Sequence, residues 1–108
     1  MTSEENHPPL FSTLAADPGM IDLVENFVAD LPERLARILL ADEAADEKAF
    51  LFEVHQLKGT SGVYGFEPLH HCLVEIESLH KTGQLETIPE KLETLKKMCK
   101  RVTPKPPP

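Results

Sequence analysis

His55 and Lys58 stand three residues apart, and Gly59 and Gly62 follow the histidine at four and seven residues. On a helix turning about 100° per residue, both glycines fall within about 40° of His55, and Lys58 lies about 60° away, one turn along. The apolar line of the same segment runs through Phe50, Val54, Leu57, Ser61 and Tyr64. His55 is therefore off the core line and points outward. A glycine inside a helix costs about 1 kcal/mol relative to alanine. Two of them beside an outward histidine imply a close approach, either by a neighbouring helix over Gly59 or by a partner backbone over His55. Lys58 favours the partner. A neutral imidazole nitrogen is a nucleophile near pH 7 and can take a phosphoryl group from an acyl phosphate. The new negative charge would lie beside an ammonium able to stabilise it. Such transfer needs positioning and charge compensation more than covalent machinery, so one exposed histidine suffices if a partner brings the metal and the carboxylates.

The other candidate groups point to less. Glu67 with His70, and Glu77 with His80, have the Glu-x-x-His spacing of carboxylate-bridged metal bundles. Both pairs sit on one helix, about 15 Å apart along its axis, and no inward carboxylates complete a site from the other helices. No metal site is predicted. His71 and Glu75, four apart, are expected to form a surface pair. Cys72 and Cys99 fall on apolar stripes and read as core residues. Phe50, Leu51 and Phe52 are consecutive and cannot all face one core. Leu51 or Phe52 should lie exposed near His55, as an apolar docking patch.

The elements that hold these residues read as helices. The first is expected from Asp17 to Ala41, with Asp17 as cap and Pro18 at the first helical position. Val24, Phe27, Leu31, Leu35 and Ile38 form its apolar face, and Pro32 inside it should kink or divide it. The second runs from Glu47 to Tyr64 and ends at Gly65. The third runs from Pro68 to Thr82, with Leu69, Cys72, Leu73, Ile76 and Leu79 as its stripe, and stops at Gly83. The fourth starts at Thr87, where Thr87 and Glu90 have capping-box spacing, and carries Ile88, Leu92, Leu95, Cys99 and Val102. No segment alternates with period two, so no sheet is expected. The reading is all-α, an up-down-up-down antiparallel four-helix bundle over residues 17–102. A polar, flexible leader over residues 1–16 and a proline-rich, non-helical tail over 103–108 flank it.

Composition narrows the function. The 108 residues make one domain, with 41% hydrophobic and 27% charged residues, which is globular rather than disordered. The net charge of −7 argues against nucleic-acid binding, since phosphate backbones need a basic footprint. Residues 1–54 carry −9 and residues 55–108 carry +2; the lysines Lys91, Lys96, Lys97 and Lys100 read as a solvated face. No apolar run approaches the roughly 18–20 residues of a membrane span. Met1–Pro9 is polar and acidic, unlike a secretory signal. A cytoplasmic setting with reduced thiols is expected.

The run His55-Gln56-Leu57-Lys58-Gly59-Thr60-Ser61-Gly62-Val63-Tyr64-Gly65 resembles the signature of histidine-containing phosphotransfer domains, H-x-x-K-G-x-x-x-x-x-G. His55, Lys58, Gly59 and Gly65 occupy its fixed positions. Phe27, Leu31, Pro32 and Leu35 fit a Phe-x-x-x-Leu-Pro-x-x-Leu pattern common in that family, and the leucine-rich helix through Glu77 fits as well. The resemblance spans about residues 18–102. It departs at Val54, where the family often has alanine, and it leaves out the leader and the tail. It implies a four-helix bundle with His55 exposed and phosphorylated, chiefly on Nε2, by the phospho-aspartate of a receiver domain, with onward transfer to another receiver. Lys58 would stabilise the phosphoryl group, Gly59 would leave room for the receiver, and Gly65 would allow the turn ending the helix. Leu51, Phe52, Gly59 and Gly62 would form the docking surface. The implied partners are receiver domains of hybrid histidine kinases and response regulators. The chain needs no cofactor of its own, since magnesium belongs to the receiver. No nucleotide-binding glycine pattern is present, so autonomous kinase activity is not expected. A monomer is expected, because four helices already cover their apolar faces. The alternative is a non-catalytic helical adaptor that binds a receiver without transfer.

Overall fold

The computed structural model describes residues 8–108. Four helices form the body: α1 (Ile21–Glu43), α2 (Glu47–Val63), α3 (Glu67–Lys81) and α4 (Ile88–Arg101). They make an all-α four-helix bundle in which consecutive helices pack against one another. The apolar spacings read from the sequence place the core. Val24, Phe27, Leu31 and Ile38 of α1 are buried, as are Phe50, Val54, Leu57 and Ser61 of α2. Leu69, Cys72, Leu73 and Ile76 of α3 join Ile88, Leu92 and Leu95 of α4. Leu35, Tyr64, Leu79, Cys99 and Val102 are half-buried at its edge. Phe27 lies 5.5 Å, centroid to centroid, from both Phe66 and Tyr64, fixing α1 against the turn that follows α2.

Several local expectations are corrected. The first helix starts at Ile21, not Asp17. The Asp17 carboxylate instead accepts a hydrogen bond from the Gly19 N–H at 2.9 Å, and Met20 N–H bonds the Asp17 carbonyl at 2.9 Å. These bonds make a turn that puts Pro18 outside the helix. Pro32 does not divide α1, which runs on to Glu43. Its ring is exposed, and one missing backbone bond is tolerated within a helix otherwise packed along its length. The cap of α2 is Asp46, whose side chain accepts from the Ala49 N–H at 3.1 Å. The capping box of the fourth helix does not form. Residues Leu85–Thr87 make a 3₁₀ turn, and the Thr87 hydroxyl donates back to the Gln84 carbonyl at 3.3 Å. His71 pairs with Glu67 at 3.7 Å rather than with Glu75, which is held by Lys91 at 2.7 Å.

A small sheet is present where none was expected. Strand β1 (Leu10–Phe11) pairs in parallel with strand β2 (Val102–Thr103). The stretch beyond it is docked as well: Ser12 and Ala15 are buried. The Ser12 hydroxyl donates to the Tyr64 carbonyl at 2.5 Å, and Thr13 N–H bonds the Gly65 carbonyl at 3.0 Å. Of the expected flexible leader, residues 10–16 are thus fastened to the bundle, while residues 1–7 lie outside the described part. From Thr103 onward the tail is non-helical.

Candidate functional site

His55 is the ninth residue of α2, off the buried line of Val54 and Leu57, and its side chain is 64% exposed. Beside it on α3 is Glu77, whose side chain is only 10% exposed. Glu77 Oε2 lies 2.9 Å from His55 Nδ1, and Glu77 Oε1 lies 2.6 Å from Lys58 Nζ. The carboxylate thus joins the histidine and the lysine from across the α2–α3 seam. Lys81, one turn further along α3, brings its Nζ to 3.8 Å from Glu77 Oε2.

The protonation of this group follows from its contacts. Burial by itself pushes the Glu77 carboxyl up. The hydrogen bonds from Lys58 and His55, with the charges of Lys58 and Lys81, overcome burial and hold it below the ordinary glutamate value. Glu77 is therefore ionised at neutral pH and can only accept. His55 Nδ1 must be the donor. In a neutral ring that leaves the lone pair on Nε2, which makes no hydrogen bond to the described residues. The arrangement presents an imidazole fixed by one nitrogen, with the other nitrogen nucleophilic.

The two helical glycines differ. A methyl group at Gly59 would meet nothing within 4 Å, so no neighbouring helix lies over it. At Gly62 a methyl group would come within 3.1 Å of His70 Nδ1. That ring donates to the Lys58 carbonyl at 2.8 Å, fastening α3 along α2. Gly62 is half-buried and belongs to the helix–helix seam, while Gly59 is open to solvent. Gly65 has φ +80°, and a Cβ there would fall 2.5 Å from Thr13 Oγ1, so both backbone and space require glycine. Phe52 is 58% exposed, Leu51 is half-buried and Phe50 is in the core, as the three-residue argument requires.

The remaining sequence candidates stay apart. Glu77 is turned to His55, while His80 stacks on Phe50 at 4.9 Å, so that Glu-x-x-His pair does not converge. Burial raises the Cys72 thiol to about 11 and the Cys99 thiol to about 12. The functional residue missed by sequence reasoning is Glu77. A signal was available: it follows Leu73 by four and Ile76 by one, which puts a carboxylate at the margin of the apolar stripe.

Comparison with known proteins agrees with this geometry. The family model described as Hpt domain matches residues 22–103. The chain is also similar to the phosphorelay intermediate protein rdeA of Dictyostelium discoideum, at 28% identity over 81 residues. That match covers 75% of this chain and 32% of the relative, so the chain corresponds to about a third of that protein's length. No solved structure matches. With three quarters of its length covered by the family model, the chain belongs to the Hpt domain family.

Proposed function

We propose that the protein is a phosphorelay intermediate that takes a phosphoryl group on His55 from the phospho-aspartate of one receiver domain and passes it to another. The observation that carries this reading is the Glu77–His55 bond, which holds Nδ1–H and leaves Nε2 facing outward on an exposed ring. In the transfer, the Nε2 lone pair attacks phosphorus. The bond from phosphorus to the aspartyl oxygen breaks, and the carboxylate leaves with the electron pair. The imidazole becomes cationic, and the ionised Glu77 beside Nδ1–H compensates that charge. Lys58, 22% exposed, lies close enough to turn from Glu77 to the phosphoryl oxygens. Gly59 leaves the flank of the ring open, and Phe52 with Leu51 supplies an apolar patch one turn away for the receiver to cover. Gly65 shapes the end of α2. Magnesium is the receiver's, and the chain acts as a phosphocarrier, not as a kinase. We place it in the cytoplasm as a monomer; no described helix is long and apolar enough to cross a membrane.

The test is transfer from a panel of phosphorylated receiver domains, read by intact mass, with His55→Gln as control. Acid-labile, alkali-stable label on the wild type and none on the variant is the expected result. If no receiver labels the chain while some bind it, the non-catalytic adaptor replaces this reading.

A further inference from the structure

Glu77 has more positive charge around it than its resting hydrogen bonds use. Lys58 Nζ and Lys81 Nζ approach the carboxylate from α2 and α3, but only Lys58, at 2.6 Å, is at hydrogen-bond length. Lys81 waits at 3.8 Å, and its side chain is 61% exposed. No other lysine, arginine or histidine than Lys58, Lys81 and His55 lies within 4 Å of Glu77 among the described residues. His80, the neighbour of Lys81, is turned away onto Phe50.

With the imidazole in the neutral form that attack requires, the charges before transfer are one carboxylate and two ammoniums. A phosphoryl group on Nε2 would bring about −1.5 to −2 on its oxygens at pH 7, only partly offset by the positive charge that the ring gains. Its oxygens would compete with Glu77 for Lys58. Glu77 would keep the Nδ1–H of the cationic ring but lose its one ammonium at hydrogen-bond distance, beside the new phosphoryl charge, and for a carboxylate this enclosed that loss is costly. A second cation closing on Glu77 would offset that loss and free Lys58 to turn.

We propose that Lys81 is that cation: a positioning residue that takes over Glu77 when Lys58 turns to the phosphoryl group. The inference rests on the reading of His55 as the phospho-acceptor. The geometry suits a handover. Lys81 follows Glu77 by four residues on one helix, in the favourable glutamate-first order. Its ammonium needs to advance by only about 1 Å to reach hydrogen-bond distance. Its exposed stem is free to do so. Glu77 then keeps one close ammonium in both states, and Nδ1–H of His55 keeps its acceptor throughout.

The experiment uses the whole chain and phosphoramidate as a donor that needs no receiver. Nε2 attacks its phosphorus, the phosphorus–nitrogen bond breaks, and ammonia leaves with the electron pair. The titration of the bound phosphoryl group is then followed by phosphorus NMR in wild type, Lys81→Met, Lys81→Arg, Glu77→Gln and the Lys81→Met/Glu77→Gln double variant. With Lys58 held back by Glu77, the phosphoryl group of Lys81→Met should bind its proton about two- to fivefold more tightly, the size of a partly exposed charge coupling. Lys81→Arg should retain the wild-type midpoint. In the Glu77→Gln background, Lys81→Met should change nothing further, because no carboxylate remains to be neutralised. An equal shift in both backgrounds would mean that Lys81 acts on the phosphoryl group directly, and would overturn the handover. An unchanged midpoint in Lys81→Met would overturn it too, even if Glu77→Gln proved too unstable to use. Failure of phosphoramidate to label His55 would instead remove the phospho-acceptor reading, and the inference with it.

Discussion

Replacing Glu77 by glutamine should destabilise the protein in a way that depends on pH. The carboxylate accepts bonds from Lys58 at 2.6 Å and from His55 at 2.9 Å. A hydrogen bond to a charged group contributes about 1.5–3 kcal/mol when shielded. Lys58 is 22% exposed and His55 64% exposed, so solvent brings each bond toward about 0.5–1 kcal/mol. An amide has one acceptor oxygen, and its NH₂ would face either the ammonium or the imidazole N–H. The expected loss at pH 7 is about 1–2 kcal/mol. The pH dependence follows from the Glu77 shift. Burial raises this carboxyl, and the hydrogen bonds and charges of its partners outweigh burial, holding it below the ordinary glutamate value. A depressed folded-state value means stability that is complete above the unfolded value and is lost as pH falls through the folded one. Below that point a protonated glutamate is nearly equivalent to glutamine, so the two chains should converge. Urea titrations of both, from pH 7 down to about pH 3, would trace the difference. Repeating them in a His55→Asn background removes the titration of the imidazole itself. A difference that is absent at pH 7, or that stays constant across the acid range, would refute the account of Glu77 as an ionised acceptor.

Four further outcomes are expected. Gly65→Ala, at φ +80° with Thr13 in the way, should lose more than about 1 kcal/mol by urea unfolding. Gly59→Ala should gain up to about 1 kcal/mol, since its methyl group meets nothing, while slowing label transfer from a receiver. Phe52→Ala should leave stability within about 0.5 kcal/mol and weaken receiver binding in titration calorimetry, whereas Phe50→Ala should cost about 3–5 kcal/mol. Cys72 and Cys99, with thiols near 11 and 12, should resist iodoacetamide at pH 8, where the thiolate fraction is on the order of 10⁻³ or less, and react once the chain is unfolded.

The sequence carried the helices because each buried line repeats at three and four residues, from Val24–Ile38 to Ile88–Leu95. The outward histidine was legible for the same reason, since Val54 and Leu57 fix which side of α2 is inside. What escaped depends on contacts between distant positions. Glu77 reads in the sequence only as half of a Glu-x-x-His pair with His80, and its meaning comes from His55, twenty-two positions earlier. The strands β1 and β2 are two residues each, too short for alternation to register. The start of the first helix was misplaced because Asp17 found another partner in Gly19, whereas the fourth helix does begin at Thr87, its cap residue, and only its capping box failed, the hydroxyl turning back to Gln84. Gly59 and Gly62 share one line of the helix, yet only the position of His70 separates an open flank from a packed one.

The clasp between the two strands closes a very long loop, from Leu10 to Val102. The helix pairs need only neighbouring chain to meet, so they can form early, whereas the clasp recovers its closure entropy late. It should be the last part to assemble and the first to open, with its amides exchanging with solvent ahead of the helix cores. Such an opening would release Thr13 from Gly65 and Arg101 from the Pro8 carbonyl. It would fray one pole of the molecule and leave the Glu77–His55 bond, lodged between α2 and α3, closed.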